Sequence, residues 1–410
     1  VVDQTSPDPT IAVVGAGLAG LRVAERLRAA GHTAGIVVVG EEVHAPYNRP
    51  PLSKEVLRGT MPHDKLPFRQ RPSTADVEWR LGTRVSGVDL DRRELVLSDG
   101  ETLSYDGLVV ATGVRARRLD LDADLAWRHT IRTLEDAQRL APELRPGARV
   151  VVIGAGFIGC EVAATAAQLA CDVTVVEPLA TPLERPVGDL VGHEVQRRHE
   201  ARGVRFALGR TVSAIEDAGE HLEVVLDTGA HVPADVVVEA VGSVANVEWL
   251  AGTGLDLANG VLCDADLHPL RDGVAVPEVV VAGDVARFPI AGFSDEPVRV
   301  EHWTMPTDMA THAAASLLAG LAGEPAPAGF APLPTFWSEQ YGVRMQSFGM
   351  PHLGLSDVRV LDGDLSGEAA VGFHRDGTLV GVVLLGLGKR MLDFRSAVAH
   401  AANPALEPAS

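Results

Sequence analysis

Three observations predict an α/β chain built from two doubly wound units, one inserted in the other, followed by a small C-terminal α+β domain. First, a strand, glycine turn and helix pattern occurs at Ile11-Ala-Val-Val-Gly-Ala-Gly-Leu-Ala-Gly20 and again at Val150-Val-Val-Ile-Gly-Ala-Gly-Phe-Ile-Gly159. Second, two apolar strands closing on small residues, Leu108 to Gly113 and Ala234 to Gly242, echo each other and mark exits from the two units. Third, beyond the Pro/Gly-rich stretch Gly323 to Gly329, alternating apolar runs suit a small antiparallel sheet. The expected boundaries are 10–115 and 243–325 for the outer unit, 116–242 for the inserted one and 330–400 for the C-terminal domain.

Each glycine turn has a physical reading. Four apolar residues suit a buried parallel strand, and the first glycine (Gly15, Gly154) allows a tight turn. The second (Gly17, Gly156) lets backbone approach a pyrophosphate, and the third (Gly20, Gly159) lets the helix pack closely on the strand. The helix N-termini then present N–H groups to phosphates. Two such cradles imply two nucleotides.

Composition bounds the rest. The 410 residues exceed one ordinary core, and no apolar run reaches the roughly 18 residues of a membrane span. Val1 to Pro9 looks like a short disordered lead rather than a signal peptide, so a cytoplasmic location is expected. Cys160, Cys171 and Cys263 form no CxxC pair and are expected to be buried, inert thiols. A formal charge of −19 argues against nucleic acid. Only Lys54, Lys65 and Lys389 are lysines among 36 basic residues.

In chain order, the strand Ile36 to Gly40 completes a βαβ unit. An acidic residue at its end should grip ribose hydroxyls, and Glu41 or Glu42 can do so; Glu41 is taken as the gripping residue. In His44 to Lys54, prolines 46, 50 and 51 are expected to forbid helix until Leu52, with Ser53 capping a short helix after it. Val77 to Leu108 reads as one small meander, and Val204 to Val232 as a second. Cys171 to Glu177 is a strand whose terminal carboxylate lies 23 residues past Gly154; it would accept ribose hydroxyls and repel a 2′-phosphate, favouring NADH over NADPH. The strand Glu278 to Asp284 returns to the outer unit, Thr307 to Leu321 is a long helix, and a last helix spans about Arg390 to His400.

With both cradles, Pro-Pro-Leu-Ser-Lys54, Ala-Thr-Gly113, Ala-Gly-Asp284, Glu-His-Trp303 and Phe-Trp-Ser-Glu-Gln340 in this order, the chain resembles the FAD-dependent NADH:ferredoxin reductases. These are the putidaredoxin-reductase-like components of cytochrome P450 and ring-hydroxylating dioxygenase systems, with a glutathione-reductase-like fold. The resemblance runs from about Thr10 to His400. Its Pro-Pro-Leu-Ser-Lys stands where disulfide reductases of the same fold carry a cysteine pair.

The resemblance implies that Gly15, Gly17, Ala19, Gly20 and Glu41 hold the ADP half of FAD, and that Lys54 lies beside the flavin, paired with Glu161. Arg49, Val85, Ala111, Thr112, Gly113, Arg132, Asp284 and Trp303 match further FAD-contacting positions. Gly154, Gly156, Ile158, Gly159, Glu177 and Gly242 would hold NADH. Hydride would pass from the nicotinamide to the flavin, and single electrons onward to an acidic [2Fe–2S] ferredoxin, with no metal in this chain. A basic island of Arg344, Lys389, Arg390 and Arg395 is the expected docking surface. The sequence departs from the family pattern at Glu-His-Trp-Thr-Met-Pro306, at Leu267 to Pro277, and at Arg49, where an acidic residue is commoner. Alternative readings are a rubredoxin reductase, an NADH oxidase-like flavoenzyme, or a redox-signalling flavoprotein of the apoptosis-inducing-factor type.

Overall fold

The computed structural model describes residues 9–121 and 127–403; the expected lead, apart from Pro9, lies outside them. The chain forms two compact units. One comprises the chain up to Asn48, Pro67–Arg115 and Val244–Pro334; the other comprises Arg49–Leu66, Ala116–Ser243 and the chain from Thr335 onward.

In the first unit, five parallel strands lie in the order Val279–Val281, Gly107–Val110, Ile11–Val14, Ile36–Gly40, Glu78–Leu81. The four strands other than Glu78–Leu81 are buried along their whole length, as near-continuous apolar runs in a sheet covered on both faces should be. Helices Leu18–Ala29 and Met305–Ala322 pack together. A Cβ added at Gly107 would come within 2.9 Å of Leu321 and 3.4 Å of Leu317, so the long helix lies directly on the sheet. Val85–Asp89, Glu94–Leu97 and Thr102–Ser104 form the antiparallel meander.

Before the chain leaves this unit and after it returns, two loops are stitched together. Asn246 N donates to Gly113 O at 3.0 Å and its Nδ2 to Thr112 O at 3.0 Å, while Thr112 Oγ1 donates to Asn246 O at 2.7 Å.

The second unit repeats the plan. Its parallel order is Arg205–Leu208, Asp172–Glu177, Arg149–Ile153, Val236–Glu239, Arg128–His129. The meander Val212–Asp217, Leu222–Leu226, His231–Ala234 packs Ile215, Leu222 and Val224 against Val151, Val176 and Val237 of that sheet. From Thr335 an antiparallel sheet follows, in the order Thr335–Gln340, Val343–Gly349, Thr378–Leu385, Ala369–Arg375, Val358–Gly363, with helix Met391–Ala402 against it. Its first hairpin turns at Tyr341-Gly342, both at positive φ (55° and 75°), as a two-residue turn matched to strand twist requires.

Three local expectations need correction. Glu78–Leu81 and Arg205–Leu208, read as parts of meanders, are edge strands of the parallel sheets. Neither strand is buried along its length, so neither carries the continuous apolar run of the inner strands. The proline loop does hold a helical turn: Pro50–Ser53 is a 3₁₀ turn with proline in its first positions, where a missing N–H costs nothing. Ser53 therefore ends this turn rather than capping a later helix.

Candidate cofactor cradles and a buried lysine–glutamate pair

The two glycine cradles have the same geometry. Gly15 (φ 117°) and Gly154 (φ 98°) adopt backbone that side chains rarely take, and a Cβ on either would collide with a carbonyl, Ala111 O in one unit and Ala240 O in the other. A Cβ on Gly20 or Gly159 would strike the carbonyl of its own first glycine, so the helix starts tight on the turn. At Gly17 and Gly156, the N-caps of the two helices, no atom lies within 4 Å of an added Cβ. Protein crowds the first and third glycines and leaves the second bare, which is the arrangement a pyrophosphate needs. The residues present thus fit two dinucleotides.

Around the first cradle the structure gathers Gly15, Gly17, Ala19, Gly20 and Ala111; Gly283, beside Asp284, would meet Ala19 Cβ at 2.9 Å if it carried a side chain. The Asp284 carbonyl accepts from Arg299 Nη1 at 3.2 Å. Glu41 is exposed, whereas Glu42 accepts from Tyr47 Oη at 2.6 Å, so one of the two candidate acids is committed to the loop itself. Gly40 sits where Glu177 sits in the other unit, since Val39 and Val176 pair with the last residues of the two cradle strands. A Cβ at Gly40 would lie 2.4 Å from Ala16 Cβ, whereas in the other unit the equivalent Ala155 stands beside Glu177 and donates its N–H to it. Val85 is buried at a strand start, Gly113 has φ 61°, and Trp303 is 40% exposed.

In the second unit Glu177 is pinned. Its Oε2 accepts from Ala155 N at 2.7 Å and its Oε1 from Leu179 N at 3.1 Å, leaving each oxygen a further lone pair for a hydroxyl. Ile158, on the first turn of the cradle helix, is 44% exposed. Gly242 (φ 101°) is open, with nothing within 4 Å of an added Cβ. Arg49 and Arg132 also lie in this unit and meet each other: Arg49 Nη1 donates to Arg132 O at 2.8 Å, and Arg132 N to Asp136 Oδ2 at 3.0 Å.

Lys54 and Glu161 pair at 2.6 Å, and both are buried. The cradle helix brings Glu161 inward, and Lys54 follows directly on the 3₁₀ turn. Three residues to which the sequence assigned no role at the site complete the setting. Ser53 Oγ donates to Glu161 Oε2 at 2.6 Å, and Ser338 Oγ to Glu161 Oε1 at 2.7 Å. The Trp337 ring centre is 5.4 Å from Lys54 Nζ and 5.1 Å from the Arg344 guanidinium carbon. The signal lay in Phe-Trp-Ser-Glu-Gln340, where strand alternation turns Ser338 to the buried face with Phe336.

The cysteines fit inert roles. Burial pushes the Cys160 and Cys263 thiols far up, and that of the half-buried Cys171 to about 11. Of the expected basic island, Arg390 is taken by Asp362 at 2.5 Å and Asp393 at 2.7 Å. Among the described residues no helix is long and apolar enough to cross a membrane.

Residues 9–314 match the pyridine nucleotide-disulphide oxidoreductase family, and residues 335–409 the reductase C-terminal family. Over 413 aligned positions the chain is 37% identical to the anthranilate 1,2-dioxygenase system ferredoxin–NAD(+) reductase component of Burkholderia cepacia, covering 97% of this chain and 96% of that protein. It is 37% identical to the biphenyl dioxygenase system ferredoxin–NAD(+) reductase component of Paraburkholderia xenovorans, over 83% and 81%. Among solved structures, the crystal structure of the covalent putidaredoxin reductase–putidaredoxin complex superposes with a TM-score of 0.87 at 30% identity, over 97% of this chain and 94% of that one. The second match takes in the strand that carries Trp337 and Ser338, and the first takes in both glycine cradles. The chain belongs to the pyridine nucleotide-disulphide oxidoreductase family.

Proposed function

We propose that the protein is an FAD-dependent NADH:ferredoxin reductase, the reductase component of a dioxygenase or cytochrome P450 system, working in the cytoplasm. The observation that carries this is the pair of glycine cradles with bare second glycines, joined in one chain to a buried Lys54–Glu161 pair where a disulfide reductase would have cysteines. Relatives named as ferredoxin reductase components support it, and nothing in them favours the rubredoxin reductase, oxidase or signalling readings.

Segments 10–115 and 243–325 serve FAD, with Gly15, Gly17, Ala19, Gly20 and Glu41 at its ADP half; 116–242 serves NADH, with Gly154, Gly156, Gly159 and Glu177; 330–400 is the C-terminal domain. The flavin supplies the conversion of one hydride into two single-electron deliveries. The chain's residues bind and orient. Glu177 places a buried negative charge where a 2′-phosphate would come, so NADH is preferred. Lys54, held by Glu161, offers a fixed cation that favours an anionic reduced ring. With Arg390 already neutralised, Arg344, Lys389 and Arg395 remain to meet an acidic [2Fe–2S] ferredoxin.

Stopped-flow spectroscopy tests the reading: purified holoprotein is mixed anaerobically with NADH and then with a [2Fe–2S] ferredoxin. Rapid flavin bleaching followed by ferredoxin reduction is expected. Bleaching with no onward transfer would overturn the ferredoxin assignment.

A further inference from the structure

Glu161 takes three side-chain donors, and they are not equivalent. Lys54 Nζ and Ser53 Oγ both approach Oε2, each at 2.6 Å. Oε1 is served by Ser338 Oγ at 2.7 Å. All four residues are buried, with Ser338 1% and Glu161 5% exposed. Ser338 reaches Glu161 across 177 residues of chain, from a strand on which it and Phe336 are the buried positions. Gln340 Nε2 approaches the Ser338 hydroxyl at 3.3 Å, which leaves that hydroxyl's proton for Glu161.

We infer that Ser338 is a positioning residue for the lysine–glutamate pair: its hydroxyl fixes the rotation of the Glu161 carboxylate, so that Oε2 faces Lys54 and Ser53. A buried carboxylate oxygen stripped of its donor carries the desolvation penalty uncompensated. Glu161 then turns to recover a bond, and Lys54, held otherwise by Ser53 at 3.3 Å and by the Trp337 ring, loses its fixed place. The strand that carries Trp337 on one side and Ser338 on the other thereby sets where the ammonium stands.

The inference rests on the reading that Lys54 serves the flavin, and the test separates the two. Anaerobic potentiometry of the holoprotein compares wild type, Ser338→Ala, Lys54→Met and the double variant. Ser338→Ala is expected to lower the midpoint potential by about tenfold in the reduction equilibrium, about 30 mV for a two-electron couple. Lys54→Met lowers it further, and adding Ser338→Ala to Lys54→Met changes nothing more. Ser338→Thr, which keeps the hydroxyl, returns the potential toward wild type. A wild-type potential in Ser338→Ala beside a shifted one in Lys54→Met would overturn the positioning role alone; an unshifted Lys54→Met would overturn both it and the lysine reading. If Ser338→Ala does not fold, Ser338→Cys, near in size and a weaker donor, gives the same comparison.

Discussion

Glu161 and Thr165 stand one turn apart on the same helix and hold the same short turn of chain. Glu161 Oε2 accepts from Lys54 Nζ at 2.6 Å, and Thr165 Oγ1 donates to Ser53 O at 2.8 Å. An i, i+4 pair shares one helix face, so the helix clamps the Pro50–Lys54 segment at two consecutive residues.

Breaking the clamp at its charged point should cost more than at its neutral one. Glu161→Ala leaves a buried ammonium unpaired and is expected to lose about 3–5 kcal/mol. Thr165→Val loses about 1 kcal/mol. Adding Lys54→Met to Glu161→Ala should regain much of the loss, because a buried pair replaced by apolar groups is often nearly neutral. Urea denaturation of the four proteins measures this, and a double variant no more stable than Glu161→Ala would contradict it.

The glycines divide into two groups. Gly15→Ala and Gly154→Ala drive a methyl into a carbonyl and should lower the melting temperature sharply. Gly156→Ala has room in the protein and should melt close to wild type while raising the dissociation constant for NADH tenfold or more. Thermal melts with NADH titration read both quantities from one preparation.

Cofactor choice should follow the charge at Glu177. Glu177→Gln removes the negative charge, and the ratio of kcat/KM for NADPH over NADH is expected to rise about tenfold. Because the carboxylate also accepts from Ala155 and Leu179, the variant should lose about 1.5–3 kcal/mol in stability. Steady-state kinetics with both cofactors, on protein shown to be folded, checks the ratio.

His199 gives a pH dependence. It is fully buried, with its ring nitrogens near Val195 O (2.9 Å) and Cys160 O (3.1 Å), and with the Tyr341 and Phe206 rings and Arg202 around it. Burial holds it below the usual 6.5, although the two carbonyls act in the opposite direction. A group kept neutral by folding contributes its full stability above pH 6.5 and loses it as pH falls through that value, because the unfolded chain then binds the proton. His199→Gln should therefore have a flatter stability profile between about pH 7 and 5, measured by denaturation at each pH. A slope equal to that of wild type would count against it.

At the proposed docking surface, Lys389→Glu and Arg395→Glu should each lower kcat/KM for ferredoxin several-fold, with the effect fading as salt rises. Arg390→Glu changes a charge already matched by Asp362 and Asp393; its effect should follow the loss of those contacts and depend less on salt. Ferredoxin-coupled cytochrome c reduction across a salt series separates the three.

Much of the fold was legible because it is written in local pattern. The apolar run Ile36–Gly40 has the strand bounds the sequence predicts, and the two cradles announce themselves through glycine spacing. What escaped depends on partners remote in sequence. Arg205–Leu208 is a short strand whose sheet is not evident until its parallel neighbour Asp172–Glu177 is known. Ser338 has no partner visible in the sequence until the helix brings Glu161 to it, and Ser53 looks like a cap until its hydroxyl is seen on the same carboxylate. The close approach of Ala16 to Gly40 likewise depends on the folded turn.

The stitching of Thr112 and Gly113 to Asn246 makes the first unit a host with a fixed socket. Because the rims of the gap are tied to each other, the entropy of closing whatever lies between them is borne by the host. Closure entropy grows only with the logarithm of length, about 0.6 kcal/mol per doubling, so the guest's size is nearly free to vary. A lineage carrying such a socket can lengthen, shorten or exchange the intervening segment while the host sheet keeps its register.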